Sequence, residues 1–272
     1  MKSFPNILSK LLYEPLLITQ AKYFAICRVL ESHMAGGMAQ MPMVDEEEPD
    51  EDEEYQETNN TAIIPVHGVL GKHLEQMDMM SGGCDLDTVK DDLDIALADE
   101  NIERIIFDFR SPGGAVTGIP ELAAKIASIQ NKETVAFTDS ECCSGALWLA
   151  CACDYFYSTE SASVGSIGVW CAYMDISRQM AMEGENMQAI SAGKYKLMGA
   201  YWKPLTDEEK ALLQKDVDSI HADFKSAVNL NREIADEHME GQIFDGKEAA
   251  EIGLTDGTVD DLEEVIEMGL KN

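Results

Sequence analysis

Three short segments of the sequence carry the groups needed for acyl transfer through an oxygen nucleophile. Ser144 stands in Glu-Cys-Cys-Ser-Gly-Ala-Leu-Trp-Leu-Ala (141–150), where a tight turn is expected to open a helix. Upstream, Ser-Pro-Gly-Gly (111–114) offers at Gly113 and Gly114 two backbone N–H groups without side chains, suited to binding an oxyanion. Downstream, Gly-Lys-Tyr-Lys (193–196) offers an amine, with Lys196 the candidate base and Lys194 its neighbour. Oxyanion donors, nucleophile and base are all present.

Lysine is a demanding base. Its free amine has a pKa of about 10.4 and is protonated at neutral pH, so Lys196 can accept the Ser144 proton only where burial disfavours the ammonium. Tyr195, Leu197 and Met198 are suitable wall material for such a pocket. Taken singly, each segment has a plainer reading: Ser144 as a helix N-cap, the glycines as turns, both lysines as surface charges. Their joint order is what favours catalysis. The five histidines (33, 67, 73, 221 and 238) offer a rival Ser-His pair, but none stands in a motif, and each reads as structural or exposed.

Seven cysteines (27, 84, 142, 143, 151, 153 and 171) lack zinc-finger spacing and have no histidine nearby, so neither a metal nor a cofactor is expected. They read as small buried thiols of a reducing compartment. Cys142 and Cys143 adjoin Ser144, yet a thiol nucleophile there has no identifiable activating partner.

The 272 residues suffice for one large domain with appendages. No run approaches the ~18–20 consecutive apolar residues of a membrane span, and the opening Met-Lys-Ser-Phe-Pro lacks a secretion signal's apolar core and cleavage site. A soluble, cytoplasmic protein is expected. A net charge of −31 repels nucleic acid and anionic membranes, which argues against a phosphate-binding role. Ten carboxylates fall within 45–57, a self-repelling run that reads as a solvated, disordered linker.

These features divide the chain into an N-terminal helical segment (1–35), an acidic linker (36–60) and a domain (61–272). The apolar positions of 5–33 suit one or two short helices. From Thr61 strands and helices alternate, the α/β signature: strands at 62–70 and 103–109, helices at 86–99 and 119–130, a strand at 134–138, and a helix from Ser144. Strands near 155–158, 168–174 and 187–191 and a helix at 177–184 follow. A capping box, Thr206 with Glu209, starts a long helix reaching about Ile234, with Leu212, Leu213, Val217, Ile220, Phe224, Val228 and Leu230 as its core stripe. Ser-Pro-Gly-Gly then lies just past a strand's carboxyl end, where such sheets hold their chemistry.

Over roughly 60–265 the sequence resembles the Ser-Lys peptidases of the signal peptide peptidase A family, and within it the tailed-phage prohead protease branch. The resemblance is carried by Ser-Pro-Gly-Gly (111–114), the segment around Ser144, Gly-Ser-Ile-Gly-Val (165–169), Gly-x-x-Lys (193–196) and Phe-Asp-Gly-Lys-Glu-Ala-Ala-Glu-Ile-Gly-Leu-Thr-Asp (244–256). Tyr-Glu-Pro-Leu-Leu-Ile-Thr (13–19) also looks like the phage branch. The resemblance implies an α/β, ClpP/crotonase-like spiral of ββα units that assembles into a homo-oligomeric ring. It implies Ser144 as nucleophile, Lys196 as general base, Ser166 as the hydroxyl holding the lysine amine, and Gly113 and Gly114 in the oxyanion hole. The substrates implied are peptides and proteins, such as capsid or scaffold proteins, cut after small residues. Leu197 and the Cys142-Cys143 pair depart from the commoner bacterial pattern. Alternatives are a bacterial cytoplasmic peptidase acting on signal-peptide remnants, a non-catalytic assembly or scaffolding protein and, more distantly, an acyl-CoA enzyme of the crotonase type. Ala35-Gly36-Gly37 and Ala39, in a Gly-rich stretch, are the expected place for the chain to cut itself.

Overall fold

The run 105–109, apolar but for Asp108, produces a strand covered on both faces, the mark of a central place in a parallel sheet. In the computed structural model, which describes residues 15–34, 55–58 and 60–269, this strand is β6 (Arg104–Arg110) of a six-stranded sheet. The order is β13-β10-β8-β6-β3-β2, with β13 Gly257–Thr258, β10 Tyr155–Ser158, β8 Glu133–Thr138, β3 Thr61–His67 and β2 Gln56–Thr58. Neighbours are parallel except β2 against β3. Alternate residues of β6 serve different faces, as the two-residue period requires: Ile105, Phe107 and Phe109 enter the main core, Ile106 a smaller one with Val135, Phe137 and Val265.

Short strands form a second layer. One group has the order β1 (Leu16–Ile18), β7 (Gly113–Ala115), β4 (Val69–Gly71), β5 (Gly83–Asp85). The other is β12 (Ile243–Asp245), β11 (Ser163–Gly165), β9 (Glu141–Cys143), and a bridge between Ser111 and Cys142 links the two groups. In chain order the helices are α1 (Gln20–Met34), α2 (Gln76–Met80), α3 (Leu86–Ala98), α4 (Ile119–Ala127), α5 (Gly145–Ala150), α6 (Ser177–Glu183), α7 (Asp207–Asn231), α8 (Gly246–Glu251) and α9 (Leu262–Gly269). A long strand, a short strand and a helix recur as β3–β4 before α3, β6–β7–α4 and β8–β9–α5. The chain is thus the expected α/β spiral of ββα units.

Several expectations change. Residues 16–18 form a strand rather than a helix, because Pro15 and the run Leu-Leu-Ile-Thr favour extended backbone and β7 offers an edge to pair with. The strand expected at 168–174 reduces to one bridge, Leu16 to Trp170, and the one at 187–191 does not form. Its residues are exposed, so no covering layer rewards their β-propensity. Helix α7 begins at the expected capping box, with Thr206 Oγ1 accepting from Glu209 N–H at 3.2 Å and the Glu209 carboxylate accepting from Thr206 N–H at 2.8 Å. Only Phe224 and Val228 of its expected stripe are buried, and Leu230 is 76% exposed, because much of the helix runs beyond the core it was expected to cover. Residues 1–14 of the expected N-terminal segment, 36–54 of the acidic run and the Ala35–Ala39 stretch lie outside the described residues. Residues 56–58, assigned above to the linker, form β2.

Candidate active site

Ser144 sits between β9 and α5 with φ 55° and ψ −117°, a conformation that L-residues avoid. Holding it costs about 1–3 kcal/mol, recovered from packing on every side. Its N–H donates to Gly165 O at 2.8 Å and its carbonyl accepts from Trp148 N–H at 3.1 Å. All six residues of α5 are buried, and Trp148 stacks on Phe224 at 4.7 Å. A strand turning sharply into a buried helix, with a serine at the strained point, is how a hydroxyl is presented for nucleophilic attack.

The glycines are tied to this turn by close approach. A methyl group on Gly113, where φ is 93°, would lie 2.9 Å from Gly145 N, 3.0 Å from Cys143 O and 2.0 Å from Leu17 O. One on Gly114 would lie 1.9 Å from Leu70 O, and one on Gly145 2.4 Å from Ile119 Cδ1. Gly113 N–H donates to Ser111 Oγ at 3.2 Å, while the Ser111 hydroxyl donates to Gly68 O at 2.7 Å. Ser111 and Gly145 thus join the site although neither was among the expected residues. The signal for Gly145 was its place directly after the nucleophile.

Ser166 follows Gly165, whose carbonyl holds Ser144, and has φ 59°; its N–H donates to Gln242 O at 2.5 Å. It lines a cavity of about 530 Å³ together with Ile18, Thr19, Gly168 and Gly241. Ser144, Ser166, Gly113 and Gly114 therefore come together through the β7, β9 and β11 region. Lys196 is placed differently. It is exposed on a turn held by its own N–H to Gly193 O at 3.2 Å, and among the described residues its amine has no hydrogen bond or ion pair. The wall expected from its neighbours does not enclose it: Tyr195 is exposed and its hydroxyl donates to Glu208 Oε1 at 2.7 Å. Lys194 pairs with Glu208 too, and that bond holds its pKa above the ordinary lysine value.

Among the described residues no histidine bonds Ser144. His67 pairs with Asp108 at 2.8 Å, His73 with Asp87 at 2.5 Å, and His221 Nε2 lies 2.9 Å from Met239 O and 3.2 Å from Ile167 O. Burial pushes the Cys143 thiol up to about 12 and that of Cys142 well above its ordinary value, which leaves no thiolate beside Ser144 at neutral pH. No cluster of described residues could hold a metal ion, and no described helix is long and apolar enough to cross a membrane.

The sequence is similar to proteins that carry protease names. A protein of Methanocaldococcus jannaschii with a provisional protease name is 33% identical over 62% of this chain and 57% of its own length. The capsid assembly protease of Escherichia phage lambda is 27% identical over 82% of this chain and 52% of its own. The chain thus spans about half the length of the curated relatives it matches. Among solved structures, an enoyl-CoA hydratase from Thermoplasma volcanium aligns over 80% of this chain and 75% of its own, with 16% identity and a TM-score of 0.43. The family model for peptidase family S49 matches residues 127–271, more than half of the sequence, and the chain belongs to that family.

Proposed function

We propose that the protein is a serine endopeptidase of Ser-Lys type, processing scaffold or capsid proteins within an assembling phage shell. The observation that carries the catalytic reading is Ser144: a strained, buried serine at a strand-to-helix turn has no structural purpose that a glycine would not serve better. Similarity to the lambda capsid assembly protease over 82% of the chain supports the setting.

In this reading a neutral Lys196 amine takes the Ser144 proton as the hydroxyl oxygen attacks the scissile carbonyl. The oxyanion that forms is met by backbone N–H groups near Gly113, Gly114 and Gly145, and Ser166 holds the amine. The lysine ammonium returns its proton to the leaving amine as the C–N bond breaks. Water, deprotonated by the same lysine, then releases the acyl group from Ser144. Segment 177–203, whose helix α6 buries no residue, closes on the nucleophile when substrate or a neighbouring subunit of the ring covers it. That closure would supply the burial a neutral lysine amine requires.

Ser144→Ala and Lys196→Ala are each expected to lower turnover of a protein substrate by about 10³-fold or more with folding intact. Lys194→Ala, which removes only the Glu208 pair, is expected to change it by less than about tenfold. Comparable turnover in Ser144→Ala and wild type would refute the nucleophile, and a reversed ranking of the two lysines would move the base to Lys194.

A further inference from the structure

Strand β1 lies against the glycines that flank Ser144. It pairs antiparallel with β7, with Leu17 opposite Gly114 and Ile18 opposite Gly113. Its other edge is also occupied: Leu16 exchanges hydrogen bonds with Trp170, N–H to O at 2.8 Å and O from N–H at 3.2 Å, and Trp170 Nε1 donates to Ile18 O at 3.0 Å. The pairing extends to Thr19 N–H, 3.1 Å from Pro112 O. A three-residue strand is thereby held from both sides through its backbone, the mode by which sheets capture peptides by strand addition.

The glycines of the site are shaped around this strand. The Leu17 carbonyl oxygen lies 2.0 Å from where a methyl on Gly113 would stand and 3.4 Å from one on Gly145, and Leu17 Cβ lies 3.3 Å from the latter. Ser144, between β9 and Gly145, is 1% exposed with the strand in this position. The strand is buried and bonded on both edges, but it packs at the margin of the core. Leu16 and Ile18 pack with Tyr23 in a small cluster apart from the main core, capped by the edge-on contact of Tyr23 with Trp170 at 4.4 Å, and only Leu17 enters the main core. Beyond Ile18 and Thr19 the 530 Å³ cavity continues the slot toward Ser166. Elements with few core contacts are those that open locally.

We propose that Leu16–Ile18 is an internal occupant of the peptide slot, an autoinhibitory strand that must leave before substrate enters. The proposal rests on the reading of Ser144 as nucleophile, but the slot can be tested without it. Both backbone groups of Leu16 face Trp170, so toward β7 Leu16 and Ala115 form the pair whose side chains stand closest. Leu16→Cys with Ala115→Cys, in the full chain carrying Ser144→Ala, is therefore placed to lock β1 by a disulfide. The probe is a fluorescent peptide, Tyr-Glu-Pro-Leu-Leu-Ile-Thr, followed by anisotropy. The reduced protein is expected to bind it, and the oxidised protein at least about tenfold more weakly, because the competent fraction falls. A second variant, Leu17→Ala in the Ser144→Ala chain, weakens the internal strand without a cross-link and is expected to tighten peptide binding by about tenfold. Equal binding in the oxidised and reduced forms, or no binding to the Leu17→Ala chain while it remains folded, overturns the proposal. Peptide capture that obeys the lock, together with a Leu17→Ala chain that keeps Ser144 yet resists a serine-directed fluorophosphonate, would instead sink the nucleophile and leave the slot.

Discussion

A methyl group on Gly113 meets two separate obstacles, and a second glycine allows them to be told apart. The backbone there has φ 93°, which alone disfavours any side chain, and three oxygen or nitrogen atoms stand within 3.0 Å of the new carbon. Gly82 has a similar φ of 87° with nothing within 4 Å. Gly82→Ala therefore measures backbone strain by itself, about 1 kcal/mol, seen as a small drop in thermal midpoint with activity kept. Gly113→Ala must in addition push Leu17 or the Cys143–Gly145 turn aside, which displaces the donors meant for the oxyanion. Its turnover of a protein substrate is expected to fall by about 10²-fold. Wild-type turnover in Gly113→Ala would remove this glycine from the oxyanion site. The same residue-scale logic separates the lysines: Lys194 is held charged by Glu208, whereas among the described residues Lys196 has no such ion pair.

The end of α7, strand β10 and the segment before β13 are fastened by one buried charge. Arg232 Nη1 bonds Asp256 Oδ2 at 3.0 Å, and that carboxylate oxygen also accepts the Phe156 N–H at 2.7 Å, while Asp256 N–H returns a bond to Phe156 O. The Arg232 side chain is 3% exposed, and among the described residues its Nε and second Nη have no hydrogen-bond partner. The Asp256 carboxylate is 36% exposed, so water screens the pair, and Asp256→Ala is expected to cost about 2–3 kcal/mol in urea unfolding; a loss under about 1 kcal/mol would show that the fastening is dispensable. Elements of this kind also show where sequence reading succeeds. The strands at 104–110 and 133–138, the helices at 86–98 and 119–127 and the Thr206 capping box carry their signals in local pattern, and they stand within a few residues of expectation. The failures, at 16–18, 168–174 and 187–191, are segments whose structure depends on which partner edge happens to lie beside them. Of the candidate site, Ser144 and the glycines stand out in local sequence as turn signals, whereas Ser166 is named only through the family resemblance. The cover formed by β1 was not legible, since pairing between residues 17 and 114 leaves no trace in local sequence.

At the scale of the whole molecule, five thiols are sealed into the protein: Cys84, Cys142, Cys143, Cys151 and Cys153. Burial raises each, Cys84 and Cys143 to about 12 and Cys151 to about 11, against 9.0 for a free thiol. The consequence for stability has a definite sign. Below about pH 8 thiols are protonated in both folded and unfolded chains and contribute no pH dependence. Between about 9 and 12 the unfolded chain releases protons that the folded chain retains, so unfolding is favoured as pH rises. At pH 10.5 a thiol raised to about 12 costs on the order of 2 kcal/mol of stability relative to neutral pH. Thermal midpoints by circular dichroism are expected to hold to about pH 8.5 and then fall steeply toward pH 10.5. Rising pH also strips lysine charge from a chain already at −31, so alkaline sensitivity alone would not single out the thiols. Cys143→Ala and Cys151→Ala supply that distinction: each removes one raised thiol while leaving the lysines in place, and the double variant is expected to lose less midpoint per pH unit than wild type. An unchanged slope in the double variant would assign the alkaline transition to surface charge instead.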